Sequence, residues 1–327
     1  MRCGSSHRSM FRMNFVEAIR AALERAERGI GARQVEPWLA AEIEKLKSAD
    51  APIEITAEAL QRFLASTTDA GPPRSERLRR LAIELEDEDF VDGWAGFRRI
   101  YEAAASESPN DAWVFLSWGI SADHSWLWRS KLEEERLQIW EAADRALARA
   151  VELSPDDADI LYAMGHLRYQ HPTDDTDSGE HAVRAIPWLV RAIEVNPHHP
   201  MAQLFRAHCY HDQKKWQAAV RAYEAVEASR LLEERPCEAG RVVKLRAQLA
   251  FCLAQSGDPA EAGRQLLLLV NDVDQFTRDE LRELVGSMLS FSEILEDTAN
   301  RVKSPHLLEA TRATILRVER RWDDEEG

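Results

Sequence analysis

The stretch Leu147–Tyr169, LARAVELSPDDADILYAMGHLRY, indicates the fold class more directly than any other part of the sequence. It reads as a helix that ends near a proline, followed by a second helix, because proline cannot continue a helix. Two other helix-like stretches end in the same way, YEAAASESPND at Tyr101–Asp111 and LVRAIEVNPHH at Leu189–His199. This recurrence predicts a fold built from repeated helical hairpins.

The three prolines, at positions 109, 155 and 197, are spaced by 46 and 42 residues. Both spacings exceed the period of about 34 residues that is common for repeats of helical hairpins. We therefore expect one insert around Ser125–Glu134 and another at His171–Gly179, the second being an exposed acidic loop. Pro187 falls inside an expected helix, so that helix should kink or begin late.

Small side chains stand at the positions where the two helices of a hairpin would cross. Glycine and alanine there allow the backbones to approach, and large apolar residues fill the grooves alongside. In the hairpin after Pro155 the set is Leu161, Met164, Gly165, Ala185, Leu189, Ala192 and Pro197. In this pattern the chain resembles the tetratricopeptide repeat (TPR) family. Related sets are Trp118, Gly119, Ala143, Leu147 and Ala150; Ala207, Tyr210, Trp216, Ala219 and Tyr223; and Leu249, Ala250, Leu253, Ala262 and Leu266.

The resemblance implies an all-α fold, a right-handed α-α solenoid of TPR-like helical hairpins. Stacked repeats need closing helices, because an end repeat would otherwise expose its apolar face. We predict these at Arg278–Arg301 and His306–Trp322, and N-terminal helices near residues 13–28, 36–47 and 57–66. The expected organisation is a disordered N-terminus (1–12), a helical N-terminal segment (13–66), a linker (67–74), the TPR-like repeat array (75–276), C-terminal capping helices (277–322) and an acidic tail (323–327).

The chain is acidic, with 57 acidic and 42 basic side chains and a formal net charge of −15. Negative charge repels phosphate backbones, so nucleic acid is a poor candidate partner. A basic protein or peptide would be attracted instead, although negative charge also serves solubility alone. No apolar run approaches the length of a membrane span, and we expect no membrane partner.

Cysteine usage and missing motifs bear on compartment and chemistry. The four cysteines, Cys3, Cys209, Cys237 and Cys252, form no CxxC pair, which favours free thiols over disulfides or a zinc site. The N-terminus lacks the apolar segment of a secretory signal, so a cytoplasmic protein is predicted. Phosphate-binding loops, GxSxG elbows and HExxH pairs are absent from the sequence. We therefore expect neither an enzyme nor a cofactor.

The resemblance to the TPR family also implies a function. Such a protein would be a scaffold or adaptor that binds a protein or peptide segment in the concave groove lined by the first helix of each hairpin. The residues predicted to face this groove are Asp159, Tyr162, His166, Met201, Phe205, His208, Asp212 and Gln248. A second hypothesis, motivated by the charge of −15, is an immunity-type or regulatory protein that neutralises a basic partner.

Histidines supply a third hypothesis, a metal-dependent enzyme or sensor. One predicted first helix carries His208, His211 and Asp212, and equivalent positions in the preceding hairpins carry His166 and the pair Asp123–His124. A metal site is one use of such residues, and a groove that responds to pH is another. Polar contacts to a peptide are the simpler interpretation, so no metal site is predicted. The set considered for a metal is His208, His211, Asp212 and His166.

Half of the ten tryptophans fall in the first hairpin unit, at Trp113, Trp118, Trp126, Trp128 and Trp140. Most should fill the space beside the small residues at the helix crossing. Trp126 or Trp128, near the first insert, is a candidate for an exposed anchor that contacts a partner.

Overall fold

A computed structural model describes residues 15–32, 53–66, 73–86, 90–170, 178–234, 239–285 and 288–323. The chain divides into two compact units. The middle unit is residues 33–202, and the terminal unit combines residues 1–32 with residues 203–327. The first and the last parts of the sequence therefore belong to one unit.

The described residues are almost entirely helical, with a single isolated parallel bridge between Ile53 and Phe90. The predicted all-α fold class is confirmed. None of the described helices is both long and apolar enough to cross a membrane. The helices are α1 (Phe15–Ala32), α2 (Ala57–Ser66), α3 (Arg74–Glu84), α4 (Trp94–Glu107), α5 (Ala112–Ser121), α6 (Leu127–Arg129), α7 (Glu133–Leu153), α8 (Ala158–Tyr169), α9 (Ser178–Val195), α10 (Pro200–Asp212), α11 (Trp216–Ala225), α12 (Ala228–Glu234), α13 (Ala239–Gln255), α14 (Pro259–Val273), α15 (Arg278–Val285), α16 (Met288–Val302) and α17 (Pro305–Asp323).

The middle unit consists of helical hairpins packed in sequence order. Helix α3 packs against α4, α5 against α7, and α8 against α9. The crossings are as tight as the small residues predict, because a Cβ atom added at Gly165 would lie 2.8 Å from Leu189 Cδ2. One added at Gly119 would overlap the side chain of Leu147. The predicted helical hairpins are therefore confirmed by the contacts within this unit.

Aspartates begin three of the hairpin helices. The carboxylate of Asp111 accepts from the backbone N–H of Trp113 at the start of α5. Asp157 accepts from Asp159 and Ile160 at the start of α8. Asp258 does the same for Glu261 at the start of α14. Each cap satisfies backbone donors that have no partner inside the helix, so the turns between helices are fixed by local sequence.

The first insert extends a helix, although its sequence suggested an interruption. Helix α5 continues into a π-helical turn, Ala122–Trp126, and then into the single turn α6 before α7 begins at Glu133. The rings of Phe90, Phe97 and Trp126 pack together beneath this turn, with Phe97 and Trp126 centroids 5.0 Å apart. This apolar packing buries the start of the insert and places its side chains against the core.

Helix α9 shows that one expected effect of Pro187 is wrong. The helix is continuous from Ser178 to Val195 with Pro187 inside it, so it does not begin late. Pro187 is exposed. The backbone carbonyl that loses an N–H partner at a proline can therefore bond to water on this face, which makes the proline tolerable.

The terminal unit has its own hairpins and includes the first helix of the chain. Helix α13 packs against α14, α16 packs against α17, and α1 contacts α12, α13 and α14. Val16, Ile19 and Ala22 of α1 are buried there. Helix α1 therefore shares an apolar core with residues more than 200 positions away in sequence.

Within the predicted closing helix Arg278–Arg301 the structure describes α15 and α16, and residues 286 and 287 lie outside the described residues. Predicted features that fall wholly or mainly outside the described residues are the N-terminus 1–12, a helix near 36–47, the linker at 67–72, most of the acidic loop at 171–177 and the tail at 324–327.

Candidate functional site

A buried carboxylate meets a buried imidazole in the middle unit. Asp123 lies in the π-helical turn and is 2% exposed, and His166 lies on α8 and is 4% exposed. Asp123 Oδ2 and His166 Nδ1 are 2.5 Å apart, within hydrogen-bond distance. The other oxygen, Asp123 Oδ1, is buried and has no hydrogen-bond partner among the described residues. The carboxylate is thus only half satisfied.

A second imidazole completes the cluster. His124 Nε2 lies 3.7 Å from Asp123 Oδ2, and the His124 and His166 ring centroids are 4.6 Å apart. His124 is exposed, so it connects the buried pair to solvent. Among the described residues, Asp123, His124 and His166 form a group of three potential metal ligands. Their donor atoms all lie within 4.8 Å of one another.

Two local features bring these residues together. The π-helical turn adds a residue to the helical path, which directs Asp123 into the core while its neighbour His124 faces out. Such turns occur often at functional sites. On α8, Gly165 permits the close approach of α9, and every residue from Ile160 to Leu167 is buried. His166 therefore sits on a rigid, enclosed helix.

The set considered for a metal from the sequence is not the set that the structure assembles. His211 Nδ1 lies 2.9 Å from Asp212 Oδ1, and the His211 ring packs on Trp216 and Phe251. His208 Nδ1 instead lies 2.8 Å from Tyr223 Oη. These residues form no three-member metal-ligating group among those described. The comparison of equivalent positions in successive hairpins also grouped His166 with Asp123 and His124. It gave no reason to prefer this group over His208, His211 and Asp212.

The predicted groove residues of the middle unit are mainly interior. Tyr162, His166 and Met201 are buried, and Asp159 is exposed. Asp159 Oδ1 lies 3.1 Å from Nε2 of the buried His199, whose Nδ1 accepts from the backbone N–H of Ala202. Because Nδ1 is an acceptor, the proton of neutral His199 resides on Nε2 and is donated to Asp159. This pair caps the start of α10.

In the terminal unit two of the predicted groove residues, His208 and Gln248, are joined by hydrogen bonds through Tyr223. Tyr223 donates its hydroxyl proton to Gln248 Oε1 at 3.2 Å, so its oxygen accepts from His208 Nδ1. Phe205 is buried and its ring meets the His208 ring edge-on, with centroids 5.4 Å apart. His208, Asp212 and Gln248 are half-buried. Solvent therefore reaches four of the predicted groove residues, these three and Asp159. The groove itself stays a prediction.

Exposed aromatic and aliphatic side chains surround the first insert. Trp128 on α6 is 61% exposed, while Trp126 is buried in the aromatic core. Leu132 and Val91 are also exposed. Val91 follows Phe90, whose ring centroid is 5.6 Å from that of Trp126, so the backbone at Val91 lies near the insert. We call Val91, Trp128 and Leu132 the insert patch.

The hairpin contacts define the described part of the chain as an all-helical protein of packed helical hairpins. Solved structures to which it is similar include a TPR protein of Thermus thermophilus (16% identity, TM-score 0.42, covering 68% of this chain and 98% of that one). Others are pilF of Pseudomonas aeruginosa (16%, 0.47, 87% and 100%) and a TPR protein of Parabacteroides merdae (15%, 0.45, 91% and 99%). These likenesses are distant, and the contacts within the chain carry the assignment.

No protein-family model matches the sequence, and no curated protein matches it either. The functional conclusions therefore depend on the residues of this chain.

Proposed function

We propose that the protein is an interaction scaffold that holds a protein or peptide segment. The insert patch is the observation that carries this proposal. Trp128 and Leu132 are among the most exposed large apolar residues of the described chain, at 61% and 67%. Tryptophan is enriched among the residues that dominate binding energy at protein interfaces, because it buries a large apolar area with little loss of entropy.

The placement of Trp128 suits a binding role. It lies on a single helical turn between the π-helical turn and α7, and neighbouring Ser130 donates to Glu135. Arg129 donates to the backbone carbonyl of Glu86, and its guanidinium lies 5.2 Å from the Trp126 ring centroid. These contacts hold the backbone on both sides of an exposed ring. A preorganised anchor of this kind loses little freedom when a partner binds.

The proposed partner is a segment with an apolar side chain that packs on Trp128. The net charge of −15 favours a basic segment over an acidic one. Asp159, His208, Asp212 and Gln248, the solvent-reachable residues of the predicted groove, are proposed as polar contacts for a partner. Tyr162, His166, Met201 and Phe205 would act by shaping the helices on which these residues lie.

The test compares partner capture by matched variants of the full chain. Immobilised wild type, Trp128→Ala/Leu132→Ala and the control Leu267→Ala/Leu268→Ala are incubated with lysate of the native host, and bound proteins are quantified by mass spectrometry. Leu267 and Leu268 are exposed leucines of the terminal unit. A specific partner should be retained by wild type and control and reduced at least about tenfold by the insert variant. Equal recovery on all three proteins would refute the role of the insert patch.

The charge also supports a second candidate, a regulatory or immunity-type protein that neutralises a basic partner. Such association would be tight at low salt and weaken steeply as ionic strength rises, because exposed charges are screened. The affinity for the captured partner, measured by calorimetry at two salt concentrations, separates the hypotheses. An affinity that does not change with salt would exclude charge neutralisation and leave apolar docking.

A further inference from the structure

The half-satisfied carboxylate of Asp123 needs a further partner. Burying a polar atom without a hydrogen bond is unfavourable, and the cost is larger for a charged group. Asp123 Oδ1 is buried without a hydrogen-bond partner among the described residues, while Oδ2 is shared with His166. A bound cation would supply the carboxylate with the further partner that it lacks.

The cluster offers the correct types of donor for a transition metal. It presents one carboxylate and two imidazoles, with donor atoms that all lie within 4.8 Å of one another. Two ligands bonded to zinc at about 2.1 Å in tetrahedral geometry lie about 3.4 Å apart. The His124–Asp123 distance of 3.7 Å is close to that value. The Asp123–His166 distance of 2.5 Å is shorter, as expected where a proton occupies the place of the metal.

We propose that Asp123, His124 and His166 bind one zinc ion. Zinc bonds form to a carboxylate oxygen of Asp123, to Nε2 of His124 and to Nδ1 of His166. His166 binds as the neutral ring with its proton on Nε2, and the proton between its Nδ1 and Asp123 Oδ2 is released to solvent. The two nitrogen ligands disfavour magnesium and calcium, which take oxygen ligands. Three protein ligands leave a fourth position for water or for a donor from another molecule, on the side of the exposed His124.

The surroundings support a built site. Asp123 and His166 are held by the π-helical turn and by α8 within a packed core, so the backbones of two of the three ligands are fixed before an ion binds. The Tyr162 ring centroid lies 5.9 Å from that of His166 and restricts its rotation. On binding, the contact between Asp123 and His166 has to open from 2.5 Å, while the exposed His124 can adjust its side chain. Because the helices that carry the ligands are already in place, the site is largely preorganised, which raises affinity.

The test is a zinc titration of the full chain, expressed without a histidine tag and stripped with a chelator. Competition with a chromophoric chelator should give one zinc per chain with a Kd tighter than about 1 μM. Because His124 is exposed, His124→Ala should fold as wild type does, and it should bind zinc at least about tenfold more weakly. His198→Ala, another exposed histidine, serves as the control and should bind as wild type.

Asp123→Asn should also lose affinity, and the absorption spectrum of the cobalt-substituted wild type should show tetrahedral coordination. The decisive comparison remains His124→Ala, which stays informative if Asp123→Asn fails to fold. The absence of stoichiometric zinc binding by wild type would overturn the proposal. Equal zinc affinity of wild type and His124→Ala would overturn it as well. Because no partner protein is present in the titration, its outcome is independent of the scaffold function.

Discussion

Asp123 and His166 are 43 positions apart in sequence and form a 2.5 Å contact in the interior of the middle unit. The contact joins the π-helical turn after α5 to α8, and so links two successive hairpins. The stability of the middle unit and the proposed binding of zinc therefore depend on the same pair of side chains.

Removal of one partner of this pair should be strongly destabilising. His166→Leu leaves the Asp123 carboxylate buried without its donor, and we expect a loss of about 3–5 kcal/mol in the free energy of unfolding. Urea denaturation followed by circular dichroism measures it. His124→Ala is the control, because an exposed side chain should change stability by no more than about 0.5 kcal/mol. A His166→Leu variant as stable as wild type would show that the pair of Asp123 and His166 does not contribute to the free energy of unfolding.

The glycines at helix crossings should differ in how well they tolerate alanine. A Cβ at Gly119 overlaps the side chain of Leu147, which can move, whereas a Cβ at Gly240 overlaps the backbone carbonyl of Leu284, which cannot. Gly119→Ala should cost about 1–3 kcal/mol in unfolding free energy, and Gly240→Ala should cost more. Urea midpoints of the two variants, each compared with wild type, measure the order. Equal midpoints for the variants at 119 and 240 would contradict it.

The ion pair between Arg246 and Asp272 is enclosed between α13 and α14, with Nη1 and Oδ2 3.0 Å apart. Burial lowers the pKa of Arg246 and raises the pKa of Asp272, so desolvation disfavours both charges. Asp272→Ala removes the carboxylate that faces the buried guanidinium and should lower the free energy of unfolding by about 3–5 kcal/mol. Arg246→Met/Asp272→Leu removes both charges and should be close to wild type. A double variant less stable than Asp272→Ala would show that the pair is net stabilising.

Glu280 should make the docking of α1 depend on pH. The hydrogen bond from Arg20, with Nε and Oε1 2.7 Å apart, holds the pKa of Glu280 below its usual value, and the N–H and hydroxyl of Thr277 assist. A lowered pKa in the folded state means that this stabilisation is present above about pH 4.3 and is lost as pH falls further.

Glu280→Gln should therefore lower the urea midpoint at pH 7, and its difference from wild type should shrink as pH falls below about 4.3. The control is Glu309→Gln, which changes an exposed glutamate of α17. A difference between Glu280→Gln and wild type that stays constant from pH 7 to pH 3 would exclude the proposed linkage.

Two cysteines should be inert in the folded protein. Cys209 and Cys252 are buried free thiols, and burial raises the pKa of Cys252 to about 12. In a variant with Cys3 and Cys237 replaced by serine, Ellman's reagent at pH 8 should detect no reactive thiol before denaturation and two after it. Fast reaction of either thiol in the native state would show that α10 or α13 opens readily.

Much of the local structure follows from short-range signals. The proline endings and the small residues at 119 and 165 predicted hairpins that the structure confirms. The same signals did not show that α9 continues through Pro187, because exposure of the proline is a tertiary property. They also could not show which of Trp126 and Trp128 is exposed. In the structure Trp126 is buried in the core and Trp128 is exposed.

The sequence by itself determined that the chain is helical and where most hairpins begin and end, since apolar periodicity, helix caps and proline act within a few residues. Only the tertiary structure decided that α1 packs with helices near the C-terminus and that Asp123 meets His166. Both contacts join residues far apart in sequence. They depend on which apolar faces pack together and on a π-helical turn that changes the direction of one side chain, and neither is encoded in a local pattern.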